Sequence, residues 1–197
     1  MKKLMVGFDF GVEQFAVGEL VDDNGRILFQ YDADFLRTSL DISPFRLRRI
    51  AEPQLVNVDF FDGLFGVFAD SLPDGWERLL MDRLLREQAI DASEINILDK
   101  LAYVGISGMG ALTFHPANEV QCEDMSIDLD AIAKASSEVL KGESVEVIER
   151  LVRLAGSSGG ARPKVTALYH EERDELMSNG GGNARLSGFS EWLIKFP

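Results

Sequence analysis

The sequence predicts an α+β protein, in which a small N-terminal antiparallel sheet with helices is followed by a second region of helices and strands. Three observations favour this fold class. Alternating apolar residues flank an Asn-Gly pair at residues 24–25, a strong hairpin signal. Apolar residues then recur at helical spacing within 62–103 and 129–154. Finally, a glycine-rich turn at 156–164 leads out of a helix and into a strand.

Composition indicates a globular protein of the cytoplasm. The 197 residues are 46% hydrophobic, which is enough for a core. The net charge of −13 disfavours direct binding to DNA or to an anionic membrane, so we expect any DNA contact to run through a partner. The single cysteine, Cys122, suits a reducing compartment. Asp9 interrupts the first apolar run before it reaches the length of a signal peptide or membrane span.

The first half of the chain is predicted to be a three-stranded meander followed by helices. Helices are expected to begin near Asp62, as an N-cap, and at Pro73-Asp74, where a first-turn proline and an acidic residue favour a start. A third helix should end at Gly105. The predicted ranges are strands at 4–10, 15–21, 26–31 and 111–114, a loop with one short strand at 32–59, and the third helix at 94–103.

The second half is predicted to open with an acidic linker at 116–128. Helices over 129–140 and 145–154 and a strand over 165–169 follow, and Gly180-Gly-Gly-Asn183 indicates a flexible loop. The apolar segment 189–197 predicts a central strand, with Trp192 in the core, as Trp76 is expected to be. Because a central strand has neighbours on both sides, we expect its domain to be incomplete in this sequence.

The glycine-rich turn is the strongest candidate for a functional site. Adjacent Gly159 and Gly160 can adopt positive φ without steric cost, so that backbone N–H groups can converge on a phosphate, and Lys164 could add a positive charge. A P-loop is excluded, since Pro163 and Val165 flank the lysine and a strand follows it. A flap that covers phosphates between strands, as in protein kinases, remains possible, although the kinase glycine spacing is absent.

Other candidate chemistry is weaker. Lys195 lies within an apolar strand and needs an anionic partner if it is buried, whereas snorkelling to the surface is the simpler alternative. His115 and His170 lack neighbours at metal-ligand spacing, so no metal site is expected. Ser157 and Ser158 have no nucleophile-elbow context, which leaves acyl transfer unsupported.

Residues 61–83, which contain Leu72-Pro-Asp-Gly-Trp76, and residues 98–114 together resemble the N-terminal region of HipA-family proteins. These are bacterial serine/threonine kinases that act as toxins of toxin–antitoxin pairs. Similarity extends through Val17-Gly-Glu-Leu20, the glycine-rich turn and Trp192-Leu-Ile-Lys195-Phe-Pro197. The resemblance implies a HipA-like N-terminal subdomain at 1–116, a linker at 117–128, and the start of a protein-kinase-like N-lobe at 129–197.

The resemblance also implies roles for individual residues. Lys195 matches the lysine that grips the nucleotide, and Ser157 matches a loop serine whose autophosphorylation switches family members off. A phosphate on Ser157 would occupy the anion site and add negative charge to it. The loop that covers the ATP phosphates would contain Ser158, Gly159, Gly160 and Ala161.

A complete kinase of this kind would use ATP and Mg²⁺ to phosphorylate a protein substrate, and a DNA-binding helix-turn-helix antitoxin of the HipB type would restrain it. The catalytic and metal-binding residues of the family follow the lysine strand and have no counterpart in these 197 residues. We therefore expect this chain alone to be catalytically inactive, as the product of a truncated gene or as an expressed fragment.

Two alternatives remain open. The chain could be a stand-alone binding or antitoxin-like module of a split HipA system. It could also be the opening of an actin-like sugar kinase, in which the turn Asp9-Phe-Gly11 would hold metal and phosphate, although Val12 departs from that pattern.

Overall fold

The computed structural model describes residues 1–11, 13–43, 45–56, 61–116, 126–143, 148–156, 159–178 and 187–197. Its contacts divide the chain into two compact units. Unit 1 contains Met1–Leu72 and Asn96–Asn118, and unit 2 contains Pro73–Ile95 and Glu119–Pro197. Residues 73–95 therefore group with the C-terminal part of the chain, whereas the boundaries inferred from sequence placed them in the N-terminal subdomain.

Strands and helices are grouped in separate runs along the chain, which is typical of an α+β fold. The strands are β1 (Lys2–Asp9), β2 (Gln14–Asp23), β3 (Arg26–Tyr31), β4 (Gln54–Leu55), β5 (Leu112–His115), β6 (Lys164–His170), β7 (Glu175–Met177) and β8 (Ser190–Lys195). The helices are α1 (Ala33–Arg37), α2 (Gly66–Ala69), α3 (Gly75–Glu87), α4 (Ile97–Val104), α5 (Leu129–Lys141) and α6 (Ile148–Ala155), with short 3-10 helices at Phe61–Gly63 and Ala92–Glu94. The predicted α+β class is confirmed.

Unit 1 is built on a five-stranded antiparallel sheet in the order β4-β3-β2-β1-β5. The predicted meander is confirmed. Asn24 and Gly25 join β2 to β3 with φ of 54° and 83°, the left-handed conformations that a tight hairpin turn needs. One face of the sheet packs into a core rich in aromatic side chains, where the Phe29 ring lies 4.9 Å from Tyr31 and 4.8 Å from Phe68.

Local capping explains where unit 1 departs from the sequence prediction. The segment 32–59 contains helix α1 besides its short strand, because the Asp32 side chain accepts a hydrogen bond from the Asp34 N–H at 2.8 Å. Helix α4 begins later than predicted, since Asn96 and Asp99 form a capping box. The prediction that Asp62 is an N-cap is wrong: its φ of 55° lies inside a 3-10 turn, and α2 begins after Phe65.

Unit 2 combines helices α3, α5 and α6 with a three-stranded antiparallel sheet in the order β7-β6-β8. Among the described residues β8 is an edge strand that pairs with β6, and the second neighbour expected of a central strand is not found in this part of the chain. Trp76 is 1% exposed and belongs to the core, as predicted, whereas Trp192 is 53% exposed. On this edge strand Trp192 makes an edge-to-face contact with Tyr169, at 5.7 Å, and its indole N–H donates to the Ser190 hydroxyl at 2.8 Å.

Three regions singled out in the sequence lie outside the described residues: most of the acidic linker, the start of the helix predicted at 145, and Gly180–Asn183. Within the described residues, we find no helix with the length and apolar character that a bilayer span requires.

Tyr31 makes unit 1 sensitive to alkaline pH. Burial and the Asp41 charge raise the pKa of the Tyr31 phenol from 10.0 to about 12, and the Arg49 charge opposes part of this increase. In the described part of the chain its hydroxyl has no hydrogen-bond partner. The unfolded chain therefore loses this proton first, and the stabilisation, complete below pH 10, is lost as the pH rises towards 12.

We predict that Tyr31→Phe leaves the free energy of unfolding at pH 7 within about 1 kcal/mol of wild type, because a buried hydroxyl without a partner contributes little. The variant should lose less stability than wild type as the pH rises from 10 towards 12, a window set by the unfolded and folded pKa values of the phenol. Urea unfolding at several pH values measures both effects. Equal alkaline losses in the two proteins would contradict the prediction.

Candidate functional site

The glycine-rich turn lies at the surface of unit 2. Gly159 and Gly160 have φ of 65° and 91°, which confirms the prediction that this pair uses left-handed backbone. Both glycines and Ala161 are exposed. The predicted phosphate-loop residue Ser158 and the predicted autophosphorylation site Ser157 lie outside the described residues. The turn is therefore accessible to a ligand at Gly159–Ala161.

The N-terminus of α3 holds this turn. The Trp76 N–H donates to the Gly160 carbonyl at 3.0 Å, and the Gly160 N–H donates to the Asp74 carboxylate at 2.9 Å. Gly75 permits this approach, because a Cβ at that position would lie 2.6 Å from the carbonyl carbon and oxygen of Gly160. The sequence prediction identified Asp74 and Trp76 as parts of a helix but missed their contact with the turn, which joins residues more than eighty positions apart.

Lys164 is buried beneath the turn. Its side chain is 2% exposed, and its ammonium donates to the carbonyl of Gly159 and, at 2.6 Å, to that of Gly160. The Glu77 carboxylate lies 3.7 Å from the same ammonium. The Lys164 carbonyl accepts a hydrogen bond from the Trp76 indole at 3.2 Å. This lysine therefore fixes the turn to the first residues of α3 and β6.

Lys195 lies beside Lys164 on the neighbouring strand. The two residues are direct partners in the antiparallel ladder of β6 and β8, which puts their side chains on the same face of the sheet. The Phe196 N–H continues the pairing, since it donates to the Pro163 carbonyl at 2.9 Å. Lys195 is exposed, unlike Lys164. The strand register therefore brings an exposed cation close to the lysine that anchors the glycine turn.

The remaining candidates lie elsewhere. Asp9 in unit 1 accepts hydrogen bonds from the Gly11 N–H at 2.6 Å and the Gln14 side chain at 2.9 Å, so that its carboxylate closes its own turn. His170 is buried against Phe189 with a ring distance of 5.0 Å. In the described part of the chain, no group of three or more His, Cys, Asp or Glu side chains has metal-binding geometry.

We predict that Gly75→Ala destabilises unit 2 by displacing the turn. Positive φ alone costs an alanine about 1–2 kcal/mol, and the overlap with Gly160 should add about 1–3 kcal/mol. Gly142→Ala is the matched control, since Gly142 also has positive φ but its Cβ would approach nothing closer than 3.5 Å. Thermal unfolding followed by tryptophan fluorescence compares them. Equal losses in the two variants would contradict the close contact.

We further predict that Lys164→Met destabilises the protein by about 3–5 kcal/mol, because it leaves the buried Glu77 carboxylate without this cation. The double variant Lys164→Met/Glu77→Leu should recover much of the loss. Lys195→Met, the control on the adjacent strand, should change stability by less than about 0.5 kcal/mol, as expected for an exposed side chain. Urea unfolding of wild type and the three variants measures these changes, and a negligible loss in Lys164→Met would contradict the structural role of Lys164.

Comparison with known proteins identifies the family. Searches of curated proteins and of solved structures found no match. The family model described as HipA N-terminal domain matches residues 10–115. This range is more than half of the 197 residues and includes both long motifs on which the resemblance was based. The chain therefore belongs to the HipA family and contains its N-terminal portion.

Proposed function

We propose that unit 2 binds the phosphates of Mg-ATP between the glycine turn and Lys195, as the N-terminal part of a HipA-like serine/threonine protein kinase. The observation that carries the proposal is the pairing of Lys195 with Lys164 across β6 and β8. It brings an exposed ammonium to the same sheet face as the lysine that holds Gly159 and Gly160. Exposed glycine backbone and an adjacent cation are the groups with which kinases hold phosphates.

The charge distribution around the two lysines also supports the proposal. Like charges directly opposite each other in a sheet destabilise it. The Lys164 charge is compensated inside the unit by two carbonyls and Glu77. An anion beside Lys195 would compensate the second charge. In this proposal Lys164 shapes the turn from below, and Lys195 is the lysine that contacts the nucleotide.

The proposal extends to the complete kinase through family membership. The complete protein would transfer the γ-phosphoryl group of ATP to a serine or threonine of a protein substrate, with Mg²⁺ neutralising the developing charge. Its partner would be a HipB-like helix-turn-helix antitoxin, and contact with DNA would be indirect, because the net charge of this chain is −13. The glycine turn and Lys195 position ATP only and supply no general base.

Lys195→Ala should weaken Mg-ATP binding to the 197-residue chain by about 10–100-fold, the loss expected when one hydrogen bond to a charged group is removed. Isothermal titration calorimetry with wild type, Lys195→Ala and Lys141→Ala provides the measurement. Lys141, in the last turn of α5, is exposed and serves as the control for removal of one positive charge.

Two results would contradict the proposal. One is the absence of Mg-ATP binding to wild type, and the other is binding that Lys195→Ala and Lys141→Ala reduce to the same extent. Reduction by Lys195→Ala alone supports the assignment of Lys195 to the phosphate site.

A further inference from the structure

Both the carbonyl and the N–H of Gly160 form hydrogen bonds within unit 2. Its carbonyl accepts hydrogen bonds from the Trp76 N–H at 3.0 Å and from the Lys164 ammonium at 2.6 Å. Its N–H donates to the Asp74 carboxylate at 2.9 Å. A kinase-type turn binds phosphates through backbone N–H groups, and in this structure the N–H of Gly160 is already bound to an anion that belongs to the protein.

Asp74 accepts the Gly160 N–H, the donor that a phosphate oxygen would need at this position. Its two carboxylate oxygens would lie 3.8 and 3.9 Å from a Cβ built on Gly159, so the carboxylate borders both glycines of the turn. Asp74 is exposed and is the N-cap residue of α3, yet its side chain makes no capping hydrogen bond to that helix. The carboxylate is directed at the turn instead of at the N–H groups of its own helix.

We propose that Asp74 sets the affinity of the glycine turn for phosphate by competing with the ligand for the N–H of Gly160. This inference rests on the proposed ATP site. A bound phosphate and the Asp74 carboxylate are both anions, and they cannot accept the same N–H with good geometry. Phosphate binding therefore requires the Asp74 carboxylate to leave the turn, which lowers the apparent affinity by the cost of breaking that contact.

The competition involves the N–H of Gly160 and not its carbonyl. The contacts to the Gly160 carbonyl come from buried Lys164 and from the backbone of buried Trp76, and they are compatible with an anion at the N–H. Asp74, by contrast, can rotate into solvent, because its side chain is at the surface. The turn can therefore exchange Asp74 for a phosphate while Lys164 and Trp76 keep it anchored.

Two substitutions separate competition from a purely structural role. Asp74→Asn removes the charge but keeps an oxygen that can accept the Gly160 N–H, whereas Asp74→Ala removes the acceptor as well. We expect both variants to bind Mg-ATP more tightly than wild type, with a decrease in the dissociation constant of roughly tenfold for Asp74→Ala, which corresponds to about 1.4 kcal/mol. If Asp74 only held the turn in shape, Asp74→Ala would weaken binding and Asp74→Asn, which keeps the acceptor, would leave it nearly unchanged.

The experiment is a calorimetric titration of Mg-ATP into the full 197-residue chain and its variants. Glu87→Gln is the control, because it removes one negative charge from the exposed C-terminal end of the same helix, roughly 18 Å from the turn. Amide hydrogen exchange at Gly160 in the free proteins supplies a second readout. It should be faster in Asp74→Ala than in wild type, since the N–H loses its acceptor.

The outcomes distinguish this inference from the proposed function. Tighter binding by the Asp74 variants and not by Glu87→Gln supports the competition. Wild-type binding that depends on Lys195, together with equal or weaker binding by both Asp74 variants, overturns the competition and leaves the ATP site standing. No binding by wild type or by either variant overturns both.

Discussion

The contact between the buried Lys164 ammonium and the carbonyls of the glycine turn is the constraint on which the rest of unit 2 depends. Burial of a cation costs several kcal/mol unless hydrogen bonds and an opposite charge compensate it. Gly159, Gly160 and Glu77 supply both kinds of compensation. Since Glu77 belongs to α3 and Lys164 to β6, the compensation is complete only when the helix, the turn and the strand are assembled together.

The four charged residues near the turn differ in burial. Lys164 and Glu77 are buried, so Lys164 interacts with Glu77 and with the backbone of the turn, whereas Asp74, at the turn, and Lys195, on the strand paired with β6, are exposed. Exposed charges are strongly hydrated and cost little to rearrange. The buried pair can therefore fix the shape of the turn, and in the proposed site the exposed pair would respond to the ligand. Lys195 would attract an anion to the turn, and Asp74 would oppose it.

Patterns that are local in the sequence predicted much of this structure. The Asn24-Gly25 hairpin, the start of α3 after Pro73-Asp74 and the left-handed glycines of the turn follow from residue types within a few positions. The hydrogen bond between the Gly160 N–H and Asp74 could not be predicted in this way, because it joins segments far apart in sequence and leaves no periodic signal. The wrong prediction that Trp192 lies in the core has the same cause, because the burial of an apolar side chain on a strand depends on neighbours that the local sequence does not identify.

At Gly75 a local backbone preference conflicts with a long-range contact. From sequence alone, a glycine at the first position of a helix weakens the helix, because it adds backbone freedom that folding must remove. In the structure its missing Cβ leaves room for the carbonyl of Gly160, and this approach allows the Trp76 N–H and the Asp74 carboxylate to reach the same peptide unit. A residue that is unfavourable for the helix is therefore favourable for the site. Such a conflict between local preference and tertiary contact is typical of positions that serve a binding site, and here it marks the N-terminus of α3 as part of the glycine-turn site.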